Sequence, residues 1–218
     1  MAYRVMKLLL SPVLYTLWRV RVEGGENLPS SGPVILAANH RSFCDSLFLP
    51  LVMRRQVTFV AKSEYFDSWR TAWFFRAAGQ IPMKREGGSA SARALASAAE
   101  VLAAGGVLGI YPEGTRSPDG RLYRGRTGVA RLAMSTGATL VPVGIEGTAE
   151  VQPVGARLMR PFRTVTIRFG RPLEVSARAE TAMSDALAAR EITDELMYEI
   201  RELTGQDYVD RYAKQPPA

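Results

Sequence analysis

The stretch GPVILAAN, residues 32–39, is a short and nearly continuous apolar run that begins with Gly-Pro and is followed by His. An unbroken apolar run of this length is typical of a strand buried on both faces, as in a parallel sheet. Similar runs occur at residues 57–62, 79–83, 106–112, 139–145 and 164–170. Helical patterns lie between them, at residues 45–52, 65–78, 89–104 and 127–136. Strands that alternate with helices predict an α/β fold with a mostly parallel central sheet flanked by helices.

We expect a single domain with two appended segments. Residues 23–175 form its α/β body, and residues 176–218 form a helical extension of the same domain. In that extension a helix is predicted over residues 184–203, with an apolar face that ends near Gly205. Residues 1–22 form a separate N-terminal segment.

Composition and charge restrict the class of partner. The chain has 218 residues, of which 47% are hydrophobic and 22% charged, a balance typical of a globular protein. Its single cysteine excludes an internal disulfide, and its one histidine leaves too few ligands for a structural zinc site. Residues 1–173 hold 23 basic and 11 acidic residues, whereas residues 174–218 hold 5 basic and 10 acidic ones. A basic body predicts an anionic partner, which is a phosphate-bearing substrate, an anionic lipid or a nucleic acid.

The N-terminal segment mixes apolar and basic side chains. Residues 8–18 are uncharged, but a bilayer span needs about 20 apolar residues, and no small-residue cleavage site of a signal peptide follows. Basic residues at positions 4, 7, 19 and 21 flank the run. This pattern suits a helix lying on an anionic membrane, with Trp18 at the interface, and it suits equally a helix packed on the domain's own core. Pro12 predicts a kink or a restart of this helix.

A second aromatic and basic stretch, YFDSWRTAWFFRAAG, covers residues 65–79. Trp69, Trp73 and Phe74 suit the interfacial zone of a membrane, although such a stripe could equally belong to the core. Both stretches therefore suit the surface of a membrane.

The single histidine, His40, directly follows the first apolar run, and Asp45 comes five positions later. Sites in open α/β sheets form beyond the carboxyl ends of strands, and YPEGTRSPDGR, residues 111–121, follows another strand in the same way. An aspartate at Nδ1 would fix the tautomer of the histidine and leave Nε2 free to take a proton from an alcohol. Alternatively, Asp45 caps the helix that follows. Ser42 and Cys44 lie nearby, but there is no GxSxG elbow, and we do not expect covalent catalysis.

The second segment carries residues suited to an anion. Gly114 lets a ligand approach the backbone, and the planar guanidinium of Arg116 suits a phosphate. Nearby loops add further basic residues at Lys84, Arg85, Arg124 and Arg126. Each charged loop alone is typical of a solvated turn, but together these residues predict an anion pocket.

Four segments, NHRSFCD, GQIPMKR, YPEGTRS and VPVGI, resemble in order and spacing the four sequence blocks of the glycerolipid acyltransferase family. His-x-x-x-x-Asp alone is a weak motif, but PEGTRS about seventy residues later makes the resemblance specific. The resemblance implies an enzyme that transfers a fatty acyl group from an acyl thioester to a hydroxyl of a glycerol-phosphate-type acceptor. Because the product is a membrane lipid, the resemblance also implies peripheral or monotopic association with the cytoplasmic face of the cell membrane. The expected acceptor is lysophosphatidic acid, with glycerol-3-phosphate or another phosphorylated polyol lipid as the alternative.

The resemblance also assigns roles to residues. It implies that His40 is the general base and Asp45 its orienting partner, and that Pro142 shapes the acyl side of the site. The phosphate of the acceptor would be bound by Arg85, Glu113, Gly114, Thr115, Arg116 and Arg126. Of these, Arg126 stands where the family usually has aromatic-Lys-Lys. The co-substrate would be acyl-CoA or an acyl-carrier protein, and neither a metal nor another cofactor is expected.

Two other classes of function fit parts of the sequence. A pI near 9.8 fits a nucleic-acid-binding module, but the aromatic residues cluster near apolar helices, not along a basic strand face, so no nucleic-acid partner is expected. A catalytically silent lipid-binding or scaffold protein also fits the charge. Such a protein would have no chemical need of both His40 and Asp45.

Overall fold

The computed structural model describes residues 2–62, 64–68, 72–73, 75–76, 78–83, 90–153, 155–156, 158–176 and 183–214. Its strands, in chain order, are β1 (Arg19–Glu23), β2 (Val34–Ala38), β3 (Val57–Lys62), β4 (Ile81–Met83), β5 (Val107–Ile110), β6 (Leu122–Tyr123), β7 (Thr139–Glu146), β8 (Thr164–Phe169) and β9 (Tyr208–Val209). Its α-helices are α1 (Ala2–Leu17), α2 (Asp45–Val52), α3 (Glu64–Asp67), α4 (Ala90–Ala103), α5 (Gly128–Thr136), α6 (Thr148–Val151) and α7 (Asp185–Thr204).

Seven strands form the central sheet, in the order β1-β8-β7-β2-β5-β3-β4. The neighbouring strands from β7 to β4 are all parallel to one another. β8 runs antiparallel to β7, and β1 pairs in parallel with β8. The predicted fold is confirmed: a single α/β domain with a mostly parallel central sheet flanked by helices.

Helices cover both faces of the sheet. On one face, side chains of α1 and α2 such as Leu14 and Phe48 pack against strand residues that include Leu36 and Val141. On the other face, α4, α5 and α7 pack against residues such as Ile35. All five residues of β2 are buried. The continuous apolar run GPVILAAN therefore reflects a strand covered on both sides.

The order of the strands brings two loops together. From β2 the chain passes to β3 and β4, and then returns to β5, which lies between β2 and β3. β2 and β5 are parallel neighbours, with Ala37 opposite Ile110. Their carboxyl ends therefore meet at one edge of the sheet, at a reversal of strand order, where open α/β sheets form their sites.

The C-terminal extension folds onto the body. Residues 185–204 form α7, one residue displaced from the prediction; the Ser184 hydroxyl accepts a hydrogen bond from the amide of Leu187, and Gly205 ends the helix at φ 63°. β9 pairs with β6, beside the loop after β5. This pairing was not predicted, since strands of two residues carry no periodicity.

Helix α1 is held against the body by one side. Its Lys7 ammonium donates to the carbonyls of Pro50 and Met53 at the end of α2, and burial lowers the pKa of Lys7. The helix does not restart at Pro12 but runs through it. Residues 19–22, predicted as part of the N-terminal segment, lie in β1 of the sheet. Within the described ranges, no helix is both long enough and apolar enough to cross a membrane.

Candidate active site

His40 and Asp45 contact each other across the turn that joins β2 to α2. His40 Nδ1 lies 2.9 Å from Asp45 Oδ2. The same oxygen accepts hydrogen bonds from the amides of Arg41 and Ser42, both at 2.8 Å. The backbone thus folds around a buried carboxylate, which brings together two residues whose spacing of five would separate them on a helix. Asp45 is the first residue of α2 and makes no capping bond to it, so the alternative that it caps α2 is wrong.

This contact sets the chemistry of the imidazole. A carboxylate that accepts at Nδ1 holds the proton on that nitrogen and leaves Nε2 as the basic atom. The side chain of His40 keeps 16% of its surface accessible, whereas that of Asp45 keeps 1%. The imidazole is therefore partly exposed, and the carboxylate that orients it is not.

Tyr111, the first residue after β5, stacks on the imidazole of His40. Their ring centroids lie 3.8 Å apart with an interplanar angle of 9°. The hydroxyl of Tyr111 shares a 2.7 Å hydrogen bond with that of Ser46, and burial raises the pKa of Tyr111, so the ring is a neutral phenol. His40 is held by Asp45 at its edge and by Tyr111 on its face. Tyr111 was not among the predicted site residues, although its position as the first residue of YPEGTRS was a usable signal.

Glu113 occupies an internal position, not a substrate-facing one. Its Oε1 accepts from the amide of His40 at 3.1 Å, and its Oε2 accepts from the amide of Tyr123 at 2.9 Å. The side chain is 1% exposed. The prediction that Glu113 binds the phosphate of the acceptor is therefore wrong: its carboxylate joins the loop after β2 to β6 and so supports the backbone of His40.

Replacing Glu113 by glutamine is expected to flatten the pH dependence of stability. Burial raises the pKa of Glu113 from 4.5 to about 7, although the amides of Tyr123 and His40 oppose this shift. The folded state therefore binds a proton more tightly than the unfolded state, so the contribution to stability is full below pH 4.5 and is lost as the pH rises through 7. The loss is bounded at about 3 kcal/mol.

The measurement is the urea unfolding free energy of the wild type and of Glu113→Gln at pH 5 and pH 8. The wild type should lose more stability than the variant over this interval. Equal losses in the two proteins would show that Glu113 does not titrate there.

Gly114 and Arg126 lie against each other next to this support. Gly114 has φ 74°, and a Cβ at this position would lie 2.9 Å from Nε of Arg126, so the arginine side chain crosses the glycine closely. The amide of Arg126 donates to the carbonyl of Pro112 at 2.8 Å, and its guanidinium carbon lies 5.2 Å from the ring centroid of Tyr212. Arg116 is exposed in the same loop, and Thr115 is buried. Gly114, Arg116 and Arg126 thus form a basic surface that begins one residue after Glu113.

Two other predicted residues lie in the core. Trp18, predicted at a membrane interface, is 5% exposed, packs edge-on against Phe48 and donates its indole N–H to the carbonyl of Arg160. That prediction is wrong, because the ring completes the apolar layer between α1 and α2. Pro142 is buried in β7, where it contacts Gly170 on the face that α7 covers. This is a packing position, and it gives no support to a role in shaping the acyl side of the site.

Four predicted site residues remain, and the structure describes one of them. Arg85, Trp69 and Phe74 lie outside the described residues. Trp73 is described, and 64% of it is exposed.

The other polar residues of the first segment have structural contacts. Cys44 is fully buried and burial raises its pKa to about 11, while the hydroxyl of Ser42 donates to the carbonyl of Gln152. Neither environment activates a nucleophile. Asn39, which the sequence analysis missed, joins β2 to β7 by bonds to both the amide and the carbonyl of Ile145.

Known proteins share this arrangement of sequence and fold. The sequence profile of the acyltransferase family matches residues 19–146. A chloroplastic 1-acyl-sn-glycerol-3-phosphate acyltransferase of Arabidopsis thaliana is 31% identical over 183 residues, which are 84% of this chain and 51% of that protein. A 1-acyl-sn-glycerol-3-phosphate acyltransferase of Borreliella burgdorferi is 28% identical over 130 residues, which are 60% of this chain and 52% of that protein.

The crystal structure of the 1-acyl-sn-glycerophosphate acyltransferase of Thermotoga maritima matches with a TM-score of 0.71 at 27% identity, over 92% of this chain and 78% of that one. The chain spans about half the length of the curated relatives it matches. The profile match runs from β1 to the end of β7 and contains His40, Asp45 and the PEGTRS block. This chain belongs to the acyltransferase family.

Proposed function

We propose that the protein is a membrane-associated O-acyltransferase that transfers a fatty acyl group from an acyl thioester to a hydroxyl of lysophosphatidic acid. The observation that carries this proposal is the contact of 2.9 Å between His40 Nδ1 and the buried carboxylate of Asp45. It leaves a partly exposed imidazole with a basic Nε2 beside a basic surface. The names of the Arabidopsis and Borreliella relatives support the choice of acceptor.

The proposed reaction is a direct transfer. Nε2 of His40 takes the proton of the acceptor hydroxyl while that oxygen attacks the thioester carbonyl and forms the new C–O bond. The tetrahedral intermediate collapses with cleavage of the C–S bond, and the imidazolium returns its proton to the departing thiolate. Asp45 stabilises the imidazolium between these two steps. A thioester is already an activated acyl group, so the proposed steps need neither a metal nor a resident cofactor.

The phosphate of the acceptor is proposed to bind at Gly114, Arg116 and Arg126, with Arg85 as a further ligand. Two guanidinium groups can hold a phosphate dianion through charge-assisted hydrogen bonds, and an exposed glycine lets it approach the backbone. Holding the phosphate places the hydroxyl, and not water, at Nε2 of His40, which is a positioning contribution to the rate. The donor is acyl-CoA or an acyl-carrier protein, both of which are acidic and complement the basic body.

The outer side of α1 is proposed to lie on an anionic membrane at its cytoplasmic face. Val5, Leu8, Leu9 and Val13 are all more than half exposed on this helix, while Tyr3 and Leu14 are buried against the body. A helix that is apolar on both its packed and its outer side fits a contact with lipid better than a contact with water. The lipid acceptor would enter the site from the same surface, and Trp73 adds an exposed aromatic ring.

The test is thiol release from palmitoyl-CoA in the presence of vesicles, with lysophosphatidic acid, glycerol-3-phosphate or no acceptor. We expect release that depends on lysophosphatidic acid and that falls at least about 100-fold in His40→Ala. Circular dichroism of the variant controls for folding. Release without any acceptor would indicate a thioesterase instead, and release only with glycerol-3-phosphate would identify that acceptor. No release with either palmitoyl-CoA or palmitoyl-acyl-carrier protein as donor would overturn the proposed activity.

A further inference from the structure

We propose that residues 158–162, Leu-Met-Arg-Pro-Phe, form a second membrane contact that inserts into the same bilayer surface as α1. This segment is called the 158–162 loop. The inference rests on the membrane association in the proposed function, and it adds a site that lies far along the chain from α1.

The 158–162 loop exposes large apolar side chains together. Leu158 is 82% exposed, Met159 39% and Phe162 75%. Single exposed apolar residues are common on protein surfaces, but three large ones within five positions are unusual, and clusters of exposed apolar residues mark interaction sites.

The backbone of Phe162 is held in a costly conformation. With φ 59°, it is the one non-glycine residue of the described chain in the left-handed region. That region disfavours bulky side chains and is tolerated where the surrounding structure enforces it, which is frequent at functional surfaces. The enforcing contact is a hydrogen bond of 2.7 Å from the amide of Phe162 to the carbonyl of Leu17. The structure therefore holds an aromatic ring in solvent at a conformational cost.

The 158–162 loop is continuous with α1. Besides the bond to Leu17 at the end of α1, the buried indole of Trp18 donates to the carbonyl of Arg160 at 2.8 Å. The loop is thus joined to the end of α1 by two hydrogen bonds, beside the core layer to which Leu14 and Trp18 belong. An apolar helix side and an apolar loop joined in this way can enter one lipid surface together.

The charge around the 158–162 loop selects an anionic bilayer as the partner. Arg160 and Arg163 are exposed, Arg19 is exposed where β1 pairs with β8, and no Asp or Glu occurs between residues 151 and 173. Basic residues beside apolar ones gain from anionic headgroups while the apolar groups enter the acyl region.

A single introduced cysteine can carry a fluorescent label that reports contact with the bilayer. The only cysteine of the chain, Cys44, is fully buried with a raised pKa, so a cysteine introduced at the surface reacts selectively. Leu158→Cys carries an environment-sensitive fluorophore in the loop. Met183→Cys is the matched control, because Met183 is 95% exposed and lies at the start of α7, on the opposite face of the sheet.

On addition of phosphatidylcholine vesicles that contain phosphatidylglycerol, we expect a blue shift of the label at position 158 and none at position 183. Phe162→Asn gives an independent measurement, since asparagine tolerates the left-handed region and should preserve the fold. Phe162→Asn should weaken vesicle binding at least about 10-fold, as expected when an aromatic ring is no longer buried in the bilayer. Met183→Asn should change vesicle binding less than twofold.

The outcomes separate the inference from the proposed function. If the protein binds vesicles and turns over its substrates while the label at position 158 stays in water, the loop contact is wrong and the proposed function stands. If the protein does not bind vesicles, both membrane contacts are wrong, and acyl transfer to a soluble short-chain acceptor decides the enzyme activity separately. If the label at position 158 shifts to the blue without vesicles, and the shift grows with protein concentration, the loop binds a second copy of the chain and not a bilayer.

Discussion

Replacement of Asp45 by asparagine is expected to lower kcat for acyl transfer by roughly 10³- to 10⁴-fold, with little change in KM for either substrate. In the proposed mechanism, Asp45 contributes a negative charge to the imidazolium that forms when His40 takes the proton of the hydroxyl. It also keeps the proton of the neutral imidazole on Nδ1, so that Nε2 is the base. Asparagine offers an oxygen to the imidazole but no charge.

The fold should survive this substitution. Oδ2 of Asp45 accepts the three hydrogen bonds that shape the turn, from His40, Arg41 and Ser42. Oδ1 has no hydrogen-bond partner within the described part of the chain. The amide oxygen of asparagine can therefore take the position of Oδ2 while its nitrogen takes that of Oδ1. The change is then one of charge, not of backbone geometry.

The matched control is Asp194→Asn. Asp194 is half exposed on α7, where it pairs with Arg190 of the same helix, and the substitution removes the same charge. Its kcat should stay within about twofold of the wild type, since an exposed helical ion pair contributes little. A kcat of Asp45→Asn above one tenth of the wild-type value would show that His40 does not depend on Asp45.

The strands of the fold could be predicted where burial leaves a continuous apolar run. β2, β3 and β7 were found within two residues of their ends because a strand covered on both faces tolerates few polar side chains. β1 was assigned to the N-terminal segment, because its sequence RVRVE alternates charged and apolar residues at an exposed edge. Its pairing with β8 joins segments more than 140 residues apart, which no local pattern encodes.

The same distinction applies to the site. The contact between His40 and Asp45 was predictable, because both residues lie in one short turn at the end of a buried strand. The inward position of Glu113 was not, because a carboxylate in a turn-rich loop is exposed by default and its partner amides come from the loop after β2 and from β6. Trp18 was misplaced for a related reason: its indole partner, Arg160, is 142 residues away. Tertiary partners decide which polar groups turn inward.

A second large effect is expected from Arg126→Ala, which should raise KM for lysophosphatidic acid by roughly 10- to 100-fold and change kcat much less. A hydrogen bond to a charged group is worth about 1.5–3 kcal/mol, which sets this range. The side chain of Arg126 crosses the exposed Gly114. Gly114 follows Glu113, whose carboxylate supports the backbone of His40. Loss of a ligand that binds the phosphate equally before and during the reaction appears in KM.

Arg124→Ala is the matched control for Arg126→Ala. Both guanidinium groups lie over the ring of Tyr212, at 5.7 Å for Arg124 and 5.2 Å for Arg126, so each substitution removes one cation–π contact of the same kind. Arg124 is directed towards Asp210, with Nε 3.6 Å from its carboxylate, and not towards Gly114. We therefore expect KM of Arg124→Ala to stay within about threefold of the wild type, in line with the small worth of an exposed pair.

An acceptor without a phosphate distinguishes binding of that group from a general disturbance of the loop. Monoacylglycerol offers the same kind of hydroxyl to His40 but no anion to Arg126. If Arg126 binds the phosphate, its removal should leave the low kcat/KM for monoacylglycerol unchanged while it lowers that for lysophosphatidic acid. Equal losses for the two acceptors, or equal effects of Arg124→Ala and Arg126→Ala, would place the role of Arg126 in its packing on Tyr212 instead. The phosphate would then have to be bound by Arg116 and by residues outside the described part of the chain.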